Sequence, residues 1–487
     1  MVSDFFTDWK WWLLFAVDLV IRVAAIIIVP RNRRPTAATA WLLAIYFIPL
    51  VGVALFLLIG NPRLPPARLR KQEQINDFIR QATAEIEFGS PRTDAPTWFD
   101  SLVTLNRNLG AMPLSGDNTA RLYPDYEGSI EAMAQAVREA TAHVHVEFYI
   151  LQVDAATEVF FRALDEAVAR GVTVRVLLDH WANRGKPHYK ATTARLDAMG
   201  AQWHLMLPMR PFRGEYLRPD LRNHRKLLVV DGRVAFTGSQ NLTDSTYNLP
   251  ANIRRGLHWV DLMVRLEGPI VASVNAVFLG DWYSETGEVL TDEIDLFEVA
   301  AGPGHLDCQV VPSGPGFEFQ NNLKLFMGLL YAARERAIIV SPYFVPDEAL
   351  LVAIATSAQR GVQVELFVSE EGDQAMVYHA QRSYYEALLR AGVTIWLYRK
   401  PFILHSKSMS IDDEVAVIGS SNMDMRSFGL NLEISVLVRG AGFVQDLREV
   451  EAQYRAASRE LTLDEWLQQP LRSTVLDNVA RLTSALQ

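Results

Sequence analysis

Residues 224–241 read His-Arg-Lys-Leu-Leu-Val-Val-Asp-Gly-Arg-Val-Ala-Phe-Thr-Gly-Ser-Gln-Asn, and residues 405–422 read His-Ser-Lys-Ser-Met-Ser-Ile-Asp-Asp-Glu-Val-Ala-Val-Ile-Gly-Ser-Ser-Asn. In both, Lys follows His by two residues and Asp by seven, Gly-Ser begins at fourteen, and Asn stands at seventeen. Alternate residues of a strand share a face, so His224 with Lys226, and His405 with Lys407, address one cavity while Arg225 and Ser406 face away. Leu227 to Val230 and Met409 to Ile411 continue the strand, and Asp231-Gly232 and Asp412-Asp413 turn it. Val234 to Thr237 and Val415 to Ile418 then return it. Each motif is expected to be a β-hairpin that brings Ser239 and Asn241, or Ser420 and Asn422, back beside the His and Lys. Two half-sites can close into one.

The repeat extends beyond the motif. His143 to Ile150 reads as a strand, Glu158 to Arg170 as an amphipathic helix and Gly171 to Asp179 as a buried strand. Ala337 to Ser341, Leu350 to Arg360 and Gly361 to Ser369 follow the same order. The expected fold class is α/β: two duplicated lobes, each a mixed sheet flanked by helices, forming a pseudo-twofold pair with the site at their seam. The expected divisions are a membrane hairpin over residues 1–62, a connector over 63–118 with the breaker cluster Gly89-Ser90-Pro91, a first lobe over 119–300, and a second lobe with a helical tail over 301–487.

The duplicated pattern resembles the signature of the phospholipase D superfamily, His-x-Lys-x4-Asp followed by Gly-Ser or Gly-Gly and Asn. Within it the chain is most similar to the bacterial cardiolipin synthases. The supporting stretches are Pro35 to Leu43, Asn223 to Lys226, Glu267-Gly268-Pro269, Ser313-Gly314-Pro315, Ser341 to Pro346, and Asn422 to Glu433. Two features depart from that pattern: Gly238-Ser239 stands where Gly-Gly is more usual, and Ser245-Thr246-Tyr247 replaces the usual Glu-Tyr.

The resemblance implies a catalytic set of His224, Lys226, Asp231, His405, Lys407 and Asp412, with His224 as nucleophile and His405 as general acid and base. On their positions at strand ends, Asp231 and Asp412 read first as turn or ion-pair residues. A neutral imidazole attacks an anionic phosphodiester without charge repulsion and departs readily from the phosphohistidine. Lys226, Lys407, Ser239, Asn241, Ser420 and Asn422 are expected to hold the phosphate oxygens, so the chemistry calls for no metal and no cofactor. Each His needs a carboxylate on its other ring nitrogen, and the resemblance places Asp261 with His224 and Glu433 with His405. Tyr149, Tyr343 and Glu147 read as core or rim, and His143 and His145 as structural. An insertion before the first motif carries Arg210, Arg213, Arg218 and Arg222, either a clamp for a headgroup phosphate or a solvated basic loop.

Composition narrows the partners. A hydrophobic content of 49% supports packed globular structure, and the single Cys308 rules out an internal disulfide. A formal charge of −9 argues against nucleic acid as a partner. Trp11 to Val29 is apolar apart from Asp18 and Arg22, four residues apart on one helical face. Trp41 to Gly60 is an uncharged run long enough to cross a bilayer as a helix. Trp9, Trp11, Trp12 and Trp41 read as interfacial anchors. Arg31, Arg33 and Arg34 lie between the runs and Arg63, Arg68, Arg70 and Lys71 after them, so the positive-inside rule pulls both ways.

The leading expectation is a phosphatidyltransferase of a bacterial inner membrane. It would have two N-terminal spans and cytoplasmic lobes, and would convert two phosphatidylglycerol molecules into cardiolipin and glycerol. Phosphatidylglycerol, other anionic phospholipids and the bilayer are its expected partners. The competing readings are a phospholipase D that hydrolyses lipid to phosphatidate, transfer to another alcohol, a catalytically silent membrane scaffold and, remotely, a tethered nuclease.

Overall fold

The computed structural model describes residues 9–31, 33, 35–60, 64–84, 89, 91–210, 217–290, 302, 304–317 and 320–482. Arg34, Arg63, Ser90 and Arg213 lie outside the described residues. The chain divides into two compact units, Met1–Arg63 with Arg218–Asp220, and Leu64–Leu217 with Leu221–Gln487.

In the larger unit, Leu114–Tyr123 and Leu306–Ser313 pair antiparallel and join two half-sheets into one. Outward from Leu114–Tyr123 the strands run Met263–Glu267, Val234–Gly238, Lys226–Val230, His143–Phe148, Thr173–Asp179 and Gln202–Met206. Outward from Leu306–Ser313 they run Asn431–Arg439, Val415–Gly419, Ser408–Ile411, Arg336–Val340, Gln363–Ser369 and Thr394–Tyr398, with Ser458–Leu461 added at the edge. The second order matches the first strand for strand, so the two motif hairpins occupy equivalent places.

Helices cover both faces, which is why Leu306–Ser313 and Asn431–Arg439 bury every residue. One face packs against Tyr126–Arg138 and Glu158–Ala169 in the first lobe, and against Asn321–Ala332 and Glu348–Gln359 in the second. The helix Glu158–Ala169 shows why the sequence folds this way: Phe160, Phe161, Ala163, Leu164 and Ala167 repeat at helical spacing and are all buried. Ile270–Thr286 and Ala441–Ala456 close the opposite face.

The stretch expected as a connector is instead built into the lobes. Helix Pro66–Ala82 binds the end of helix Ile270–Thr286, where Arg68 grips Glu285 through two bonds of 2.7 Å and Lys71 caps the Tyr283 carbonyl at 3.1 Å. Helix Thr97–Gly110 inserts Phe99 and Leu102 into the core of the second lobe, and the first lobe already begins with the strand at Leu114. Polar spacing hid these two apolar side chains, whose burial stabilises the joint by about 1.5–3 kcal/mol each.

In the smaller unit, Trp9–Ile28 is one helix of 20 residues, apolar enough to span a membrane. Asp18 and Arg22 pair within it at 2.6 Å. Trp9, Trp11 and Trp12 are exposed. The second apolar run is not a single span. It belongs to two helices, Pro35–Phe47 and Pro49–Ile59, that break at Ile48 and fold back. Gly52 comes so near Ala44 that an added Cβ would lie 2.5 Å from its carbonyl oxygen, and the rings of Trp41 and Phe56 meet at 5.5 Å. Pro49 supplies no amide proton to continue the first helix and starts the second. At 13 and 11 residues these rise only about 20 and 16 Å, short of a hydrocarbon core of roughly 30 Å.

Arg225, between the first His and Lys, does face away from them. Its guanidinium is buried against Asp281 of helix Ile270–Thr286 and donates to the Glu433 carbonyl at 3.1 Å. Burial, with Asp281 alongside, pushes the Glu147 carboxyl well above the usual range. Removing one member of a buried pair strands the other. Asp281→Ala is therefore expected to lose about 3–5 kcal/mol of stability, read by denaturant melting in detergent, and Arg225→Met combined with Asp281→Leu should recover most of it. A single variant as stable as wild type would contradict the pairing.

Candidate active site

The site is built by a crossing of the two lobes. Just before the first motif, Arg222–Asn223 runs parallel to Asn431–Leu432 of the second lobe, with Asn223 opposite Leu432. Continuing that register puts His224 opposite Glu433. The His224 amide donates to the Leu432 carbonyl at 2.8 Å, and its Nδ1 lies 3.0 Å from both Glu433 oxygens. Symmetrically, Phe402–Leu404 runs parallel to His258–Val260 of the first lobe, with Leu404 opposite Val260. The His405 amide donates to the Val260 carbonyl at 2.7 Å, and its Nδ1 lies 2.7 Å from Asp261 Oδ1. The expected assignment is thereby reversed: Glu433 orients His224 and Asp261 orients His405. The resemblance paired each acid with the His of its own lobe, whereas edge strands exchanged between lobes decide the register.

The serines also take a different role from the one expected. Ser239 donates its only hydroxyl proton to Asp261 at 2.6 Å and accepts the Leu262 amide at 2.9 Å. Ser420 donates to Glu433 at 2.5 Å and accepts the Ile434 amide at 3.0 Å. Neither has a proton to offer a phosphate; each fixes the acid that fixes a histidine of the opposite lobe. The preceding glycines permit this approach, since a Cβ would fall 2.3 Å from the Leu262 oxygen at Gly238 and 2.2 Å from the Ile434 oxygen at Gly419.

Asp231 and Asp412 lie at the hairpin turns and hold neighbouring strand starts. Asp231 accepts the amides of Thr141, Ala142 and His143 at 2.7–2.8 Å, and Asp412 those of Arg334, Glu335 and Arg336 at 2.8–3.2 Å. With φ of 51° and 46°, both use the left-handed turn that Asp tolerates. Their place in the expected catalytic set is corrected: they are turn residues. Asn241 is anchored too, its Oδ1 accepting the Ile150 amide at 3.1 Å and its Nδ2 donating to the Tyr247 hydroxyl at 2.8 Å. Asn422 is buried with its Oδ1 unpartnered.

Electrostatics defines what the cavity accepts. Lys226 and Lys407 are 0% and 3% exposed, and each donates once, to the carbonyl of the His two residues earlier, at 2.5 Å. An ammonium has three donors, so each Lys keeps two for a ligand. Burial lowers them to about 7 for Lys226 and about 8 for Lys407, against the pull of Glu433 and Asp261. Buried cations so placed call for an anion. Burial opposes the charge of Glu433 and Asp261, yet their His, Lys and Ser neighbours hold both carboxyls below the usual range. An ionised carboxylate only accepts hydrogen bonds, so each Nδ1 carries the proton and each Nε2 presents a lone pair. Burial outweighs the carboxylates at the imidazoles and brings both His224 and His405 down to about 4.

Aromatic rings complete the walls. Tyr149 meets His224 edge-on at 4.9 Å and lies 5.4 Å from the Lys226 ammonium, and Tyr343 meets His405 at 6.2 Å. Both therefore border the site instead of serving only as core. His145 is buried, bonded to Asn275 at 2.8 Å and stacked on Phe278, with half-buried His143 tilted against it. From the insertion, Arg222 is not a free clamp: it is buried on Asp179 at 3.2 Å, and Arg218 is paired with Asp220. Lys186 and Asp373 gave no sequence signal because loops from different lobes bring them near the site, where Tyr247 bonds Asn241.

A duplicated fold whose two His-Lys pairs share an anion-accepting seam defines a phospholipase D-type protein. Residues 133–282 and 327–453 match the family described as "Cardiolipin synthase, PLD-like domain", and residues 12–61 match "Phospholipase_D-nuclease N-terminal". The chain is 31% identical to cardiolipin synthase A of Pectobacterium carotovorum subsp. carotovorum (strain PC1), and 31% identical to that of Proteus mirabilis (strain HI4320), over the whole of each chain. A crystal structure of phosphatidylserine synthase from Haemophilus influenzae Rd KW20 shares the fold, with a TM-score of 0.58, 16% identity, and coverage of 79% of this chain and 99% of that one. The chain belongs to the bacterial cardiolipin synthase family of the phospholipase D superfamily.

The lysine protonation states set a pH dependence. As pH rises through about 7 to 8, Lys226 and then Lys407 lose the charge that binds the anion. The inhibition constant of a non-hydrolysable phosphonate analogue of an anionic phospholipid in mixed micelles, which reads anion binding alone, should therefore hold from about pH 5 to about 7 and rise above that range. A profile flat to about pH 9.5 would contradict charged lysines as the anion site.

Proposed function

We propose that the protein is a cardiolipin synthase that transfers a phosphatidyl group from one phosphatidylglycerol to the headgroup hydroxyl of another, releasing glycerol, through a phosphohistidine. The observation that carries this reading is the pair of buried ammoniums with open donors between two carboxylate-oriented imidazoles. His224 Nε2 attacks phosphorus, and the bond to the glycerol oxygen breaks as His405 delivers a proton to it. His405 then takes the proton of the incoming hydroxyl, whose oxygen displaces His224. Lys226 and Lys407 bear the charge of the non-bridging oxygens. His405 needs a proton for the first step, and the entering phosphodiester anion favours it by opposing the lysines. One phosphodiester replaces another, so no nucleotide drives the exchange.

Membrane attachment rests on the helix Trp9–Ile28. We place the lobes on the cytoplasmic face of a bacterial inner membrane, with the folded pair Pro35–Phe47 and Pro49–Ile59 entering the bilayer without crossing it as one helix. Anionic phospholipids are the partners this reading requires.

Purified protein incubated with phosphatidylglycerol and a chelator should yield cardiolipin and glycerol, resolved by mass spectrometry. Phosphatidate as the main product would favour hydrolysis instead, and a requirement for added divalent ion would contradict the mechanism. His224→Ala should abolish turnover. Asp261→Asn, which removes the charge that fixes the His405 tautomer, should slow turnover by about 10²–10⁴-fold and accumulate an adduct on His224; an adduct on His405 would exchange the two roles.

A further inference from the structure

Two residues before His405, Ile403 borders a small open cleft of the second lobe, lined also by Tyr343, Asp373, Gln374 and Gln381. Tyr343 joins it to the site: its ring faces His405, and its hydroxyl donates to Asp373, 3.0 Å from both carboxylate oxygens. The first lobe faces this pair with Tyr247 and Lys186, the ammonium lying 5.6 Å from the Tyr247 ring and attracted by Asp373. Tyr247 receives the amide proton of Asn241, the last residue of the first motif. Tyr247 and Asn248 are consecutive non-glycine residues at φ of 59° and 53°. This strained conformation is held by Asp154, which takes the Asp244 amide at 2.7 Å and Asn248 Nδ2 at 2.8 Å. Arg255 of the first lobe bonds Glu371 at 2.5 Å and the Gly372 carbonyl at 3.2 Å, fixing the loop that carries Asp373.

We propose that this pocket, with Asp373 and Tyr343 on one side and Tyr247 and Lys186 on the other, binds the free hydroxyls of a glycerol headgroup and selects a polyol acceptor over water or a simple alcohol. The inference rests on the phosphatidyl-transfer reading and deepens it. A carboxylate accepts hydrogen bonds from adjacent hydroxyls, while the Tyr247 hydroxyl, which accepts from Asn241 and keeps its own proton, and the Lys186 ammonium supply the complementary donors, and the Tyr343 oxygen accepts. Because the pocket adjoins His405, the departing glycerol and the incoming headgroup occupy the same place next to the same acid and base. A bound diol also displaces the water that would hydrolyse the phosphohistidine.

The test uses the full-length protein in detergent, with phosphatidylglycerol as donor and equal concentrations of isotope-labelled glycerol and ethanol as competing acceptors. The ratio of labelled phosphatidylglycerol to phosphatidylethanol is measured. Wild type should favour glycerol, and Asp373→Ala should lower that ratio by about 10-fold, with transfer to glycerol falling more than transfer to ethanol. Tyr343→Phe, a milder change should the first variant not fold, should lower the ratio about 3-fold. Equal loss of both products, or an unchanged ratio in both variants, overturns the proposal. A wild-type enzyme that makes neither product overturns the phosphatidyl-transfer reading itself.

Discussion

Two lysine ammoniums buried at the meeting of two lobes are the constraint around which this protein is arranged. Each has a single bond to protein, to the carbonyl of its own motif histidine. In a low-dielectric interior such groups lose protons or acquire an anion, and two of them flanked by ionised Asp261 and Glu433 remain charged enough to wait for one. A phosphodiester satisfies what the fold leaves open. The cost of desolvating four charged groups is met by the packed sheet around them, whose central strands are buried on both faces.

The cross-lobe exchange gives this arrangement its rigidity. Each histidine is hydrogen-bonded through its backbone and its ring to the opposite lobe, and each acid is held by the serine of its own lobe. Neither half-site is complete without the other. A duplicated lobe that folded alone would lack the acceptor for its Nδ1 proton, and its imidazole would lose both tautomer and aim. The continuous sheet through Leu114–Tyr123 and Leu306–Ser313 keeps the exchanged edges in register.

Much of this was legible in residue order. The spacing of His224, Lys226, Gly238 and Asn241 and its repeat at His405 defined two hairpins that the structure reproduces, and the β-α-β units around Glu158 and Leu350 followed from their periodicity. The acid partners were not legible, because distance along the chain says nothing about which edge strand a segment joins. Nor was the work of Ser239 and Ser420, since a hydroxyl that fixes a carboxylate and one that binds phosphate look alike in sequence. The break in the second apolar run did have a signal, Pro49 in its middle, which composition alone outweighed. Asp373, Lys186 and Tyr247 lie on three loops that only the folded seam brings together.

The central claim is that two histidines from two lobes act on one phosphorus atom. Rapid quenching of the enzyme with phosphatidylglycerol labelled at phosphorus, followed by counting label bound per chain, tests it most directly. A single shared site predicts a covalent burst that never exceeds one phosphorus per chain, carried on one histidine. A burst approaching two per chain, divided between both histidines, would show two independent sites and contradict the account.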